Sequence, residues 1–226
     1  MESPAALPHL LREPTVGVDG GGRPPLLVVL HGYGGDAHAL LPLAERLDGR
    51  FLAVVPQGPL PLPNAGWGWY LLGDQTPTGR VVDTAGMHAS RLAILRLLED
   101  AAAEYGADPE RVFLCGHSQG AALALCVALT EPERLAGVVA MSGRVIPEVL
   151  PAAADAHRVR GLPVMLAHGT WDPVVPIAHG RSARDHLERQ GARVTYREYD
   201  AEHAVPPEMV DDVNAWLAGE LEGGAL

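Results

Sequence analysis

The sequence predicts an α/β protein, a mostly parallel central sheet with helices on both faces, and three observations carry that expectation. Short runs of β-branched and Leu residues, bounded by Pro or Gly, alternate along the whole chain with segments of helical periodicity. The first of these runs is apolar throughout, as a strand buried on both faces has to be. The 226 residues are 47% hydrophobic and 20% charged, with 26 Gly and 20 Pro, which suits a folded α/β domain and not a disordered or fibrous chain.

Taken in order, residues 1–24 are a lead-in broken by Pro4, Pro8 and Pro14. The glycine turn Gly20-Gly21-Gly22 opens onto a strand over 26–30, held between Pro25 and Gly32. A helix over 37–47 and a strand over 51–55, stopped by Pro56, come next. Residues 57–80 are rich in Pro and Gly and are expected to form a long loop or partial lid, a length that in a compact domain signals binding. Asp83 or Thr84 caps a helix reaching Tyr105, with the apolar stripe Met87, Ile94, Leu98, Ala101 and Tyr105 and a C-terminal cap at Gly106. A strand over 112–115, a helix over 120–129 and a strand over 135–141 follow, then an irregular stretch over 142–161 with one short helix. The chain ends in a strand over 163–167, a helix closed by Gly191, a strand over 193–199 and a helix from near Pro206. No repeat or linker interrupts this alternation, so a single domain over 1–226 is expected.

The formal charge is −11, and all 17 basic residues are arginine. Without lysine there is no Schiff base, no Walker lysine and no Ser-Lys dyad. The acidic balance argues against nucleic acid, which calls for a basic face, and against anionic membranes. The longest apolar run, 121–129, is far too short to cross a bilayer, and the N-terminus Met1-Glu2-Ser3-Pro4 has no basic region leading into an apolar one. No membrane insertion and a cytoplasmic location are expected, as a monomer or homodimer. Cys115 and Cys126 fall in stretches that read as buried, which disfavours a disulfide framework, and no Cys or His cluster has metal-ligand spacing.

Gly116-His117-Ser118-Gln119-Gly120 matches G-x-S-x-G between a predicted strand and a predicted helix. A sharp strand-to-helix turn would hold Ser118 above the sheet, with glycines on either side where a Cβ would collide with backbone. The helix behind it would aim unpaired N–H groups at charge forming near the hydroxyl. A nucleophilic serine requires a base and a group to orient that base, and Asp172 and His203 lie in loops after later strands. Asp200 and Glu202 are closer to His203 in sequence, but neighbouring residues seldom reach an imidazole's far nitrogen, so Asp172 is favoured. His31 and His168 precede glycines in tight turns and are expected to order loops. Gln119 supplies one backbone donor for an oxyanion. Leu30-His31-Gly32-Tyr33-Gly34-Gly35 supplies the other, with Tyr33 favoured over Gly32 and Gly34. The G-x-G-G spacing there does not fit a dinucleotide fingerprint.

Those segments, with Pro56-Gln57-Gly58-Pro59, Met141-Ser142-Gly143, His168-Gly169 and Asp172-Pro173-Val174-Val175-Pro176, together resemble the phospholipase/carboxylesterase family of α/β-hydrolases, which includes the acyl-protein thioesterases. The resemblance runs in order from Leu26 to the C-terminal region. It implies the α/β-hydrolase fold, Ser118, Asp172 and His203 as the catalytic residues, Tyr33 and Gln119 as oxyanion donors, and hydrolysis of carboxylic esters with no cofactor or metal. Glu202 departs from the glycine that this family usually carries before the histidine.

Only 11 residues are aromatic, being four Trp, five Tyr and two Phe. Tyr33, Trp67, Trp69, Tyr70 and Trp171 all fall in expected loops at the active end of the sheet, so the last four are read, with Tyr33, as shaping a substrate pocket; alternatively, Trp69 and Tyr70 anchor the long loop. Arg80 and Arg144 are candidates for an anionic substrate group. The expected function is a serine hydrolase acting on small-molecule esters of short to medium acyl chains. Thioesterase or lysophospholipase activity, or an acyltransferase or perhydrolase on the same fold, are alternatives. A binding module without turnover is the weakest reading, because it has no reason to keep all three groups.

Overall fold

The computed structural model describes residues 7–17, 21–63, 66–76 and 79–223. The N-terminal residues Met1 to Ala6 and Gly20 of the glycine turn, on which parts of the sequence reading fall, lie outside them. The elements are β1 (His9–Arg12), β2 (Pro25–Leu30), α1 (Ala37–Arg46), β3 (Leu52–Pro56), β4 (Leu60–Pro61), β5 (Trp67–Gly68), β6 (Leu72–Thr76), β7 (Gly79–Val82), α2 (Thr84–Glu104), β8 (Asp108–His117), α3 (Gln119–Thr130), β9 (Gly137–Met141), α4 (Ala156–Val159), β10 (Pro163–Gly169), α5 (Ile177–Arg189), β11 (Arg193–Tyr199) and α6 (Pro207–Gly223). A 3-10 turn over Pro147–Ala152 stands before α4.

Seven strands form the central sheet in the order β1-β3-β2-β8-β9-β10-β11. Every pairing is parallel except that of β1 with β3. Strand side chains alternate between faces, and the core divides accordingly. Leu26, Val28 and Leu30 pack with Ile94 and Leu98 of α2, the wholly buried α3, and Leu187 of α5. Leu27 and Val29 pack on the other face with Ala44 of α1 and with Met209, Val213 and Leu217 of α6. This double burial explains why the central strands read as unbroken apolar runs.

The structure departs from the expected elements in three places. Inside the lead-in, β1 pairs antiparallel with β3 as an edge strand. Its Arg12 is buried and donates to the carbonyls of Ala44, Phe51, Leu47 and Asp48, so it caps the C-terminal end of α1. The expected loop over 57–80 contains two small antiparallel ladders, β4 with β5 and β6 with β7, the second reaching Val82. β8 starts at Asp108, four residues before the expected 112, with a register shift between Pro25 and Leu26 that the apolar pattern does not mark. At α2 the choice of cap resolves to Asp83, whose carboxylate accepts from the Gly86 N–H.

Candidate active site

β8 ends at His117 and α3 begins at Gln119, so Ser118 alone makes the turn, at φ 56° and ψ −116°. Left-handed backbone of this kind costs a non-glycine residue about 1–3 kcal/mol and persists only where its surroundings enforce it. The Ser118 N–H donates to the Met141 carbonyl at 2.9 Å, and its own carbonyl accepts the first bond of α3 from Ala122 at 3.0 Å. A Cβ on Gly116 would fall on the Gly120 carbonyl, and one on Gly120 would fall on the Leu30 carbonyl. Both glycines are therefore required by close backbone approach.

Asp172 sits in the turn after β10 with its side chain fully covered. One carboxylate oxygen accepts from the N–H groups of Val174 and Val175, each at 2.8 Å. The other accepts from Nδ1 of His203 at 2.6 Å, and Nε2 of His203 accepts from the Ser118 hydroxyl at 2.8 Å. Burial alone would raise the Asp172 carboxyl, but the His203 hydrogen bond and the two backbone donors outweigh it and hold the group below its ordinary range. The loops carrying Asp172 and His203 are sewn together by Thr170 N–H to the Tyr199 carbonyl at 2.8 Å and Trp171 N–H to the Ala201 carbonyl at 3.0 Å. Gly169 permits this approach, since a Cβ there would meet the carbonyls of Ala201 and Glu202. Asp200 is occupied elsewhere, accepting from the Trp171 indole at 2.6 Å.

The two other strand-end histidines order loops. His31 is buried and donates from Nδ1 to the Gly32 carbonyl, while its Nε2 accepts from the Gly58 N–H. His168 donates from Nε2 to the Val175 carbonyl at 2.7 Å, steadying the turn that presents Asp172.

Gln119 is the first residue of α3, and its backbone N–H is one that no helical carbonyl can reach. Gly32 packs against Ser118 closely enough that a Cβ would stand 3.2 Å from that of the serine, which brings the 31–35 loop beside the elbow. That loop is tied by Gly34 N–H to the Trp67 carbonyl and Trp67 N–H to the Gly35 carbonyl, each at 2.8 Å. Two side chains here carry roles that the motif spacing does not reveal. The Gln119 amide accepts from the Trp69 N–H at 2.9 Å and donates to the Tyr70 carbonyl at 2.8 Å, clamping the long loop to the elbow. The His117 ring lies against that of His203, with centroids 4.8 Å apart and planes inclined by 42°, and its buried Nε2 has no partner among the described residues. Burial first, and then the neighbouring His203, pull the His117 imidazole down to about 4, so it is neutral at pH 7.

The sequence model of the phospholipase/carboxylesterase family matches residues 16–220. The chain belongs to this family. Acyl-protein thioesterase 1 of Gibberella zeae is 30% identical over 215 residues, covering 86% of this chain and 90% of the relative. Acyl-protein thioesterase 1 of Saccharomyces cerevisiae is 30% identical over 202 residues, covering 82% and 88%. Among solved structures, esterase PE8 superposes with a TM-score of 0.80 at 26% identity over 95% of this chain and 99% of that one. The Bacillus cereus carboxylesterase shares the fold, with a TM-score of 0.80 at 24% identity over 96% of each chain. The protein is thus a carboxylic ester hydrolase of α/β-hydrolase fold.

In this family member a cavity of about 430 Å³ opens at Ser118 and His203, walled by Tyr33, Tyr70, Leu72, Ala122 and the turn Val174-Val175-Pro176. Of the rings expected to shape a pocket, Tyr70 lies on this wall beside Tyr33, and three do not. Trp69 is buried beneath the site, its indole donating to the His31 carbonyl and its own carbonyl accepting from Ser90. Trp67 belongs to β5, where its backbone ties the 31–35 loop. Trp171 is 70% exposed and turned toward Asp200. Loop position does not settle which way a ring points, because the indoles of Trp69 and Trp171 follow their N–H groups to acceptors. No helix among the described residues is long and apolar enough to cross a membrane.

Proposed function

We propose that Ser118 is the nucleophile of this esterase, His203 its general base and Asp172 the group that orients the histidine, acting in one domain on carboxylic esters of short to medium acyl chains. One observation carries the reading: Ser118 Oγ, His203 and Asp172 stand in a single hydrogen-bonded row with links of 2.8 and 2.6 Å. As Ser118 attacks the carbonyl carbon, its proton passes to Nε2 of His203, and the imidazolium is stabilised by the Asp172 carboxylate. The carbonyl oxygen becomes an oxyanion, for which the backbone N–H groups of Gln119 and Tyr33 are the proposed donors. His203 then returns the proton to the departing alcohol. The same cycle with water breaks the acyl–Ser118 ester and releases the acid.

The size of the cavity, about 430 Å³, supports a short or medium acyl chain. A second reading, thioester cleavage on the same site, is supported by the relatives named acyl-protein thioesterase 1. Cys115 and Cys126 are both buried and unpaired, in keeping with the cytoplasmic location we propose. The test is labelling with a fluorophosphonate probe, followed by p-nitrophenyl esters of increasing chain length beside an acyl thioester. Stoichiometric labelling of Ser118 and turnover falling off beyond medium chains are expected; folded protein that resists the probe would rule out the nucleophile.

A further inference from the structure

We infer that His117 is a positioning residue of this esterase: its ring, packed against that of His203, stabilises the imidazolium that forms when His203 takes the Ser118 proton. The inference rests on the reading of Ser118, His203 and Asp172 as the catalytic row. His117 is the last residue of β8, in register with Met141 of β9, and it immediately precedes the nucleophile. Its ring centroid stands 4.8 Å from that of His203, inside the roughly 6 Å over which an aromatic ring attracts a cation.

Three features suit the His117 ring to this part. Its buried Nε2 makes no hydrogen bond among the described residues, so the electrons of the ring are not drawn toward another donor. Burial, and then the charge of His203, keep His117 neutral at pH 7, so it adds no second positive charge when His203 is protonated. The His203 side chain is only 18% exposed, and a cation held away from water gains more from a neighbouring ring than an exposed one. The other groups that face the pair come from several elements. Asp172, in the turn after β10, already holds Nδ1 of His203, and His168 of β10 is itself lowered by burial. Glu202 adjoins His203 in the chain. Arg46 of α1 lines, with His117, a cavity of about 230 Å³ whose other walls include Leu40, Leu43, Val205 and Val210. The ring acts on protonated His203 both in the free enzyme and in the transition state. Its loss therefore slows acyl transfer and eases deprotonation of the base by the same factor.

The experiment is the profile of kcat/KM against pH on p-nitrophenyl butyrate, from about pH 5 to about pH 9. His117→Leu should lower the plateau about five- to tenfold and move the acid limb down by nearly one pH unit, so that the two profiles draw together toward about pH 5. A His203 merely displaced by the substitution would lose rate at every pH and leave the limb where it was. His117→Phe, which keeps an aromatic face, should stay within about twofold of the parent throughout. Pentafluorophenylalanine introduced at position 117 has nearly the shape of phenylalanine but a reversed ring quadrupole, and it should behave as the leucine variant does. Circular dichroism reports on each fold, and the two aromatic variants decide the matter if the leucine variant does not fold. An unchanged plateau without the ring, a loss with an unmoved limb, a phenylalanine variant as slow as the leucine one, or equal rates for the plain and fluorinated rings overturns the inference alone. His203→Ala with turnover near that of the parent overturns the reading of the catalytic row and this inference together.

Discussion

At the scale of single residues, Ser118, Asp172 and His203 divide the proposed work unequally, and substitutions should separate their parts. Ser118→Ala should lower kcat on a p-nitrophenyl ester by about 10⁴-fold or more, with a melting temperature near that of the parent. Asp172→Asn should lower kcat by about 10³–10⁴-fold, since an amide that donates to Nδ1 would favour the wrong imidazole tautomer. Steady-state kinetics with thermal melts check both. Gln119→Leu tests a different function: it strips the partners from the Trp69 N–H and the Tyr70 carbonyl. A loss of about 2 kcal/mol in urea denaturation is expected, because buried backbone groups are left unpaired. Asp172 could be preferred over Asp200 and Glu202 in the sequence because residues so close to a histidine along the chain seldom reach its far ring nitrogen. The packing of His117 against His203 could not be read there, because in G-x-S-x-G that position accepts many side chains.

At the scale of elements, the strand-turn-helix around Ser118 is as tight as backbone permits, and a methyl group measures it. Gly120→Ala would drive its Cβ into the Leu30 carbonyl, whereas Gly219 in α6 has nothing within 4 Å of an added Cβ. Urea denaturation should show Gly120→Ala destabilised by about 3 kcal/mol or more, and Gly219→Ala stabilised by about 0.5–1 kcal/mol through helix propensity. The central strands and α2, α3, α5 and α6 were legible because burial on both faces of the sheet imposes apolar runs and periodic stripes. β1 was not, because its four residues, His9–Arg12, show no such run and its Arg12 is buried through carbonyls contributed by α1 and the turn after it. The hairpin of β6 and β7 was hidden for a related reason. Gly73 and Asp74 are poor strand formers, and its ladder is held by backbone pairing.

At the scale of the whole molecule, several histidines are kept neutral by the fold. Burial is the first cause lowering His31, His117, His168, His179 and His186 below the ordinary 6.5. For each, the unfolded chain binds the proton more readily, so stability is present above about pH 6.5 and is lost as pH falls toward the folded value, about 4 for His117. The lowered Asp172 adds a loss in the same direction at still lower pH, beneath its ordinary 3.8. The melting temperature should therefore drop by roughly 5 °C or more between pH 7 and pH 4.5, and His117→Phe should flatten part of that slope. A melting temperature constant over this range would contradict the assigned burial. The absence of lysine has its meaning at this scale too: apart from histidines that gain a proton, every side-chain cation is an arginine, which stays charged throughout this titration.

What the sequence determined by itself is whatever local covalent chemistry dictates. Apolar runs between Pro and Gly set the sheet, glycines at 116 and 120 mark a turn that only they can make, and Asp172 and His203 stand after strands whose ends share one edge. Tertiary structure alone decided what depends on distance and direction. It placed Asp200 on the Trp171 indole and Asp172 on His203, buried Trp69 under the site, turned Trp171 outward, and brought Arg80 and Arg144 to the wall of the cavity. The physical reason is that periodicity records burial averaged over an element. The aim of one side chain follows the nearest unsatisfied donor or acceptor, which distant parts of the chain supply.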